Sequence, residues 1–234
     1  MSKNKIAFVC TDCGTEHGQW QGQCASCKAW NTLSQLNLGS SSSTSPATKV
    51  DFRKQGYSGD KSNVQNLSDI DLEALPRFSS TIDEMDRVLG GGLVPGSAIL
   101  IGGNPGAGKS TLLLQIMCLL ANSGKPALYV TGEESLQQVG MRAKRLNLPE
   151  KNLKMLAETN VEQICKAAQE HQPQLLVVDS IQVMHSGDVA SAPGSVSQVR
   201  ECAAYLIQYA KQTNTVLFLV GHVTKDGNLA GPKV

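Results

Sequence analysis

A chain of 234 residues with 21 Lys and Arg against 20 Asp and Glu has a formal net charge of +1, so any contact with a polyanion must be local rather than global. With 41% apolar and 18% charged residues the composition is that of an ordinary globular protein, large enough for one medium domain and a small appendage. No apolar run reaches a membrane span and too few apolar residues precede Cys10 for a signal-peptide core; the expectation is a cytoplasmic protein whose seven cysteines stay reduced or bind metal.

The first element is a cysteine module, expected to occupy residues 1–34. Cys10-x-x-Cys13 and Cys24-x-x-Cys27 form two pairs, followed by Gly14 and Lys28 respectively. Each Cys-x-x-Cys turn aims two sulfurs at one ion, so the pattern predicts a closed, structural four-thiolate Zn²⁺ site with a short hairpin between the pairs. So small a segment has little core of its own, and metal supplies most of its stability. His17 is an alternative ligand by position, but four thiolates already satisfy zinc, and a solvated turn residue is expected. Trp20 and Trp30, the only tryptophans, flank the second pair; packing around the metal is expected, with base stacking as the alternative.

Residues 35–66 read as a flexible Ser/Gly-rich linker, with Lys49, Arg53, Lys54 and Lys61 outnumbering Asp51 and Asp60. From residue 67 to 234 the pattern is α/β. Ala98-Ile99-Leu100-Ile101 is a buried strand, and Lys109 to Ala121 is a helix. Between them lies Gly103-Asn104-Pro105-Gly106-Ala107-Gly108-Lys109-Ser110, a complete G-x-x-x-x-G-K-[ST] phosphate loop continuing into Thr111. Its glycines let backbone N-H groups turn inward around a phosphate facing a helix N-terminus. Lys109 supplies a point charge for the terminal phosphates and the Ser110 hydroxyl a ligand for Mg²⁺. Strands follow at 127–131, 153–156, 175–179 and 215–220, alternating with helices showing Val139 and Ala143, Ile164 and Ala168, and Cys202 and Leu206. That alternation predicts a mainly parallel sheet covered by helices on both faces. Cys118, Cys165 and Cys202 fall on helical patterns as small core residues.

Asp179 ends an apolar strand, which suits a carboxylate that holds the Mg²⁺ hydration shell opposite Ser110. Glu133 and Glu134 follow the strand after the loop helix, where a group that polarises water would project; Glu133 is preferred, with Glu134 as alternative or partner. His222 ends the last strand and is positioned to sense the γ-phosphate, beside Thr224 and Lys225. Lys225 is the best local candidate for touching DNA.

The residues resemble the bacterial RadA/Sms proteins of DNA repair and recombination, members of the RecA-like ATPases. The carriers are the Cys10 to Cys27 segment, Leu89 to Ser97, the phosphate loop, Tyr129-Val-Thr-Gly-Glu-Glu-Ser135, Val177-Val-Asp-Ser180, Ser191-Ala-Pro-Gly-Ser195 to Gln198-Val-Arg-Glu-Cys202, and Gly221-His-Val-Thr-Lys225. The resemblance implies a RecA-like P-loop core with a Cys₄ zinc ribbon. It implies an ATP- and Mg²⁺-using, DNA-dependent ATPase acting on single-stranded or branched DNA, as a ring or other homo-oligomer, with a RecA-type recombinase as possible partner. It also implies Glu133 as catalytic acid, with Lys109 and His222 beside it, and a DNA-facing segment after His222. Family members continue into a Lys-Asn-Arg-Phe-Gly motif and a Lon-like domain, so a C-terminally truncated form is expected. The alternatives are a nucleotide-switched regulatory relative without DNA translocation, and a non-catalytic docking scaffold.

Overall fold

The computed structural model describes residues 6–10, 13–37, 66 and 76–222. Most of the expected linker and the stretch with Thr224 and Lys225 lie outside the described residues. The N-terminal module is a three-stranded antiparallel sheet in the order β2-β1-β3, with β1 at Ile6–Cys10, β2 at Glu16–His17 and β3 at Leu33–Asn37. β3 runs past Ser34 because every residue from Leu33 to Asn37 pairs with one in β1. The ribbon is thus tied by its two ends, more than by a hairpin between the cysteine pairs.

The larger module is a five-stranded, all-parallel sheet in the order β4-β8-β7-β5-β6: Ala98–Gly103, Val216–His222, Leu175–Asp179, Ala127–Thr131 and Lys154–Ala157. Alternate residues of the central strands feed two separate cores, as a sheet buried on both faces requires. Leu128, Val130, Leu176, Val178 and Leu217 pack with α4 (Val161–His171) and α5 (Val196–Thr213). Tyr129, Val177, Phe218 and Val220 pack on the other face with α2 (Lys109–Asn122) and α3 (Leu136–Arg145). A short helix α1, Asp83–Val88, is an element the apolar pattern does not announce: none of its residues is buried.

Helix starts are set by side chains. Ser135 caps α3 and forms a reciprocal capping box with Gln138; Asn160 caps α4 and Ser195 caps α5, each accepting from the third helical amide. Helix α2 differs: its N-cap is Gly108 at φ +87°, without a side-chain cap and with no acidic residue in the first turn. Its first amides are left facing outward from the end of the phosphate loop. Cys118, Cys165 and Cys202 are buried, and burial is the main cause that pushes the Cys118 thiol up to about 11 and the Cys202 thiol up to about 12. Among the described residues no helix is long and apolar enough to cross a membrane.

Candidate nucleotide site and metal centre

The C-terminal ends of β4, β8, β7 and β5 lie side by side, and the chain leaves each through a residue with chemistry. Register places Gly103 beside His222 and Thr131 beside Asp179. These strand ends open onto a cleft of about 320 Å³ lined by the phosphate loop and by Thr131, Glu133, Glu134, Arg142, Asp179 and His222. Parallel sheets bind ligands at this edge.

The phosphate loop takes the shape its glycines allow. Gly106 and Gly108 sit at φ +80° and +87°, and a Cβ at either would meet nothing within 4 Å, so backbone conformation and not crowding demands glycine here. Lys109 is 8% exposed, and its ammonium folds back to donate to the carbonyls of Gly103 at 2.8 Å and Asn104 at 3.0 Å. A buried cation held only by neutral carbonyls, next to uncapped helix amides, fits a polyanion in the loop. Pro105, Ser110 and Thr111 line the same cleft, and the Ala107 amide donates to the Asn104 carbonyl.

Asp179 is held by a partner that the sequence pattern does not reveal. The fully buried Tyr129 hydroxyl donates to its Oδ2 at 2.6 Å. Burial first, and the Asp179 carboxylate next, push the phenol up, so Tyr129 stays a neutral donor. Asp179 therefore keeps Oδ1 for the cleft.

The two neighbouring glutamates part company. Glu134 points both oxygens at Nη2 of Arg142, 2.6 and 2.5 Å away, and its backbone is fixed by Thr131 Oγ1. This hydrogen bond raises the guanidinium's pKa further, against the opposing effect of desolvation. Glu133 instead faces β7 and β8: its Oε1 accepts from the Ser180 hydroxyl and lies 3.2 Å from Nε2 of His222. Gly132 permits this turn. A Cβ there would stand 2.5 Å from Val183 Cγ2 and 2.8 Å from Met184 Cε, while its amide donates to the Asp179 carbonyl. Tyr129, Arg142 and Ser180 are the site residues that pattern reasoning passes over. Ser180 alone carried a signal, as the immediate successor of Asp179.

A second cleft of about 800 Å³ lies at the opposite ends of the strands, near Phe78, Lys125, Pro173 and Thr215. It contains neither a carboxylate nor a phosphate loop among its lining residues.

In the ribbon, the four cysteine sulfurs lie within 4.8 Å of one another, with Cys10 to Cys27 at 3.6 Å and Cys13 to Cys24 at 3.5 Å. A tetrahedral ion with bonds of about 2.3 Å requires sulfurs about 3.8 Å apart, so four thiols at this spacing fit the ligand set of one tetrahedral ion. The two knuckles are built alike: the amides of Gly14 and Lys28 donate to the carbonyls of Cys10 and Cys24, both at 2.9 Å. Both residues are left-handed, at φ +72° and +63°. His17 is not a solvated turn residue as expected; it lies in β2 with Nε2 3.5 Å from Cys24 Sγ, held there by pairing with Phe8. The tryptophans also depart from expectation. Trp20 and Trp30 are 59% and 70% exposed, because the sulfur cluster with Leu33 and Phe8 already fills the small interior.

Comparison with known proteins agrees with both modules. Residues 65–228 match the family model of an AAA domain, and residues 8–35 match that of a rubredoxin metal binding domain. Proteins named DNA repair protein RadA from Haemophilus influenzae and Escherichia coli are each 62% identical over 98% of this chain, and that of Bacillus subtilis is 45% identical over 100%. The chain spans about half the length of these relatives, 49% for the first two and 50% for the third. It has a P-loop nucleoside-triphosphatase core of RecA-like architecture joined to an N-terminal Cys₄ ribbon. Matched along almost all of its residues and in both modules, the chain belongs to the RadA family.

Proposed function

We propose that this chain is the ATP-hydrolysing and zinc-bearing part of a DNA-dependent motor of recombinational repair, acting on single-stranded or branched DNA as a cytoplasmic homo-oligomer, with a RecA-type recombinase as partner. The observation that carries the hydrolytic reading is the meeting of Lys109, Ser110, Asp179 and Glu133 in one cleft. The relatives' shared name, DNA repair protein RadA, supports the setting.

In this reading the loop from Gly103 to Thr111 wraps the phosphates of ATP, and Lys109 leaves its two carbonyls for the terminal phosphate oxygens. Ser110 and Asp179, which line the same cleft, would hold Mg²⁺ and its hydration shell. When bound, the ion neutralises charge that develops on the phosphoryl oxygens. Glu133 orients the attacking water, and His222, whose backbone pairs with Gly103, relates the state of the loop to the segment that follows it. Arg142 engages Glu134, which favours Glu133 for the water. Cys10, Cys13, Cys24 and Cys27 would hold a structural Zn²⁺ that would shape the ribbon and take no part in the chemistry.

The test is ATP turnover measured with and without single-stranded DNA, with Lys109→Ala as blank. Stimulation by DNA is expected. A chain that neither binds single-stranded DNA nor turns over faster in its presence rejects the motor reading.

A further inference from the structure

Glu133 is held by one end of its carboxylate. Oε1 accepts the Ser180 hydroxyl and lies 3.2 Å from Nε2 of His222. The three residues stand at the C-terminal ends of β5, β7 and β8, which are consecutive in the sheet. Ser180 is fully buried, so its hydroxyl is fixed by packing from below; Glu133 stands at the surface of the cleft. An unrestrained glutamate at such a place samples many rotamers, and only some direct an oxygen at a water above the phosphates. The Ser180 hydroxyl donating to Oε1 and the His222 ring beside it select among them and leave Oε2 without a partner among the described residues.

We propose that Ser180 is a positioning residue whose hydroxyl, with the His222 ring, holds Oε1 of Glu133 so that Oε2 alone addresses the attacking water. This rests on Glu133 being the water-orienting carboxylate. Ser180 itself touches neither nucleotide nor water. It acts through Glu133, and it joins that residue to the same segment of β7 that presents Asp179. A neighbouring metal-shell carboxylate and water-orienting carboxylate thereby share one rigid support.

The test uses the full chain with Mg²⁺ and compares binding of ADP with that of ADP and aluminium fluoride, which imitates the phosphoryl group in transfer. Ser180→Ala removes one buried oxygen and creates no clash. It is expected to leave ADP affinity within about twofold and to weaken the aluminium fluoride complex about tenfold. Glu133→Gln weakens that complex at least as much. In the double variant the losses are not additive, because Ser180 has nothing left to position. Equal weakening of ADP and of the aluminium fluoride complex by Ser180→Ala would mark a merely structural serine and overturn the proposal. Additive losses, or an unaffected Ser180→Ala beside a weakened Glu133→Gln, overturn it as well while sparing Glu133. An unaffected Glu133→Gln, or a parent chain that gains nothing from aluminium fluoride, overturns the hydrolytic reading beneath it.

Discussion

The Tyr129 hydroxyl and the Asp179 carboxylate, on neighbouring strands of the sheet, are joined by a 2.6 Å hydrogen bond inside the protein. Tyr129 is fully buried, so no water replaces it. Tyr129→Phe keeps the ring and its packing but leaves Oδ2 of Asp179 without its donor. The loss of a charge-assisted bond costs about 1.5–3 kcal/mol, to be read in urea denaturation. Asp179 also gains freedom to turn. The Mg²⁺ concentration for half-maximal binding of a fluorescent ATP analogue is expected to rise several-fold. Unchanged Mg²⁺ dependence would show that Asp179 is positioned by β7 alone.

Lys109 gives a different signature. Its ammonium rests on the carbonyls of Gly103 and Asn104, which are neutral acceptors and give it up readily to a phosphate. Lys109→Ala therefore removes little from the fold and much from the ligand. Triphosphate affinity is expected to fall about 100-fold, equivalent to about 2.7 kcal/mol, with the circular dichroism spectrum unchanged. Titration with the same fluorescent analogue checks this. A loss below threefold would mean that the loop amides, and not the lysine, dominate phosphate binding.

The parallel sheet and the phosphate loop were legible because they are written in continuous apolar runs and in fixed glycine spacing. β5 was expected at Ala127 to Thr131 and occupies those residues. Helix α1 was not legible, since it is only six residues long, buries none of them fully, and touches the core through Met85 and the flanking Ile82 and Leu89. The site was legible where a residue ends a strand, as with Asp179 and His222. It was opaque where a side chain crosses the sheet: Tyr129 looks like any β-strand aromatic until β7 is laid beside β5. Arg142 is equally silent, being one of three basic residues in the last turn of α3. Glu133 was preferred to Glu134 on sequence, but the different direction each takes after Gly132, one toward Ser180 and one toward Arg142, was not legible there. The tryptophans misled because apolar size suggests burial, and the ribbon interior is too small to provide it.

Because Trp20 and Trp30 are the only tryptophans, their fluorescence reports on the ribbon alone. In the metal-free ribbon the sulfurs compete for protons. Although desolvation raises it, hydrogen bonds from Thr15 and then from Cys24 and Cys10 bring Cys13 down to about 6. Cys27, despite the lowering effect of the Ala29 amide, is pushed up to about 12 by desolvation and the other three sulfurs. Metal binding resolves this competition by taking all four as thiolates and releasing protons. Chelation at neutral pH is expected to lower tryptophan anisotropy to that of a flexible segment while the helical circular dichroism of the larger module persists. Cys24→Ser, at a buried ligand, gives the same result without chelator. Simultaneous loss of both signals would show that the two modules fold as one unit.

Two glycines predict opposite outcomes from the same substitution. At Gly132 an added methyl meets Val183 and Met184 at 2.5 and 2.8 Å, distances that force the turn after β5 away from the segment after β7. Gly132→Ala is expected to destabilise the protein by about 1–3 kcal/mol and, by displacing Glu133 from Ser180, to reduce ATP turnover at least tenfold. Gly140 lies inside α3 without a left-handed backbone, and a Cβ there meets nothing within 4 Å. Gly140→Ala should stabilise by about 0.5–1 kcal/mol through helix propensity, with turnover unchanged. Urea denaturation of both variants beside the parent decides the matter. A tolerated Gly132→Ala would mean that the two segments shift apart at little cost, and would remove the steric reason for glycine before the two glutamates.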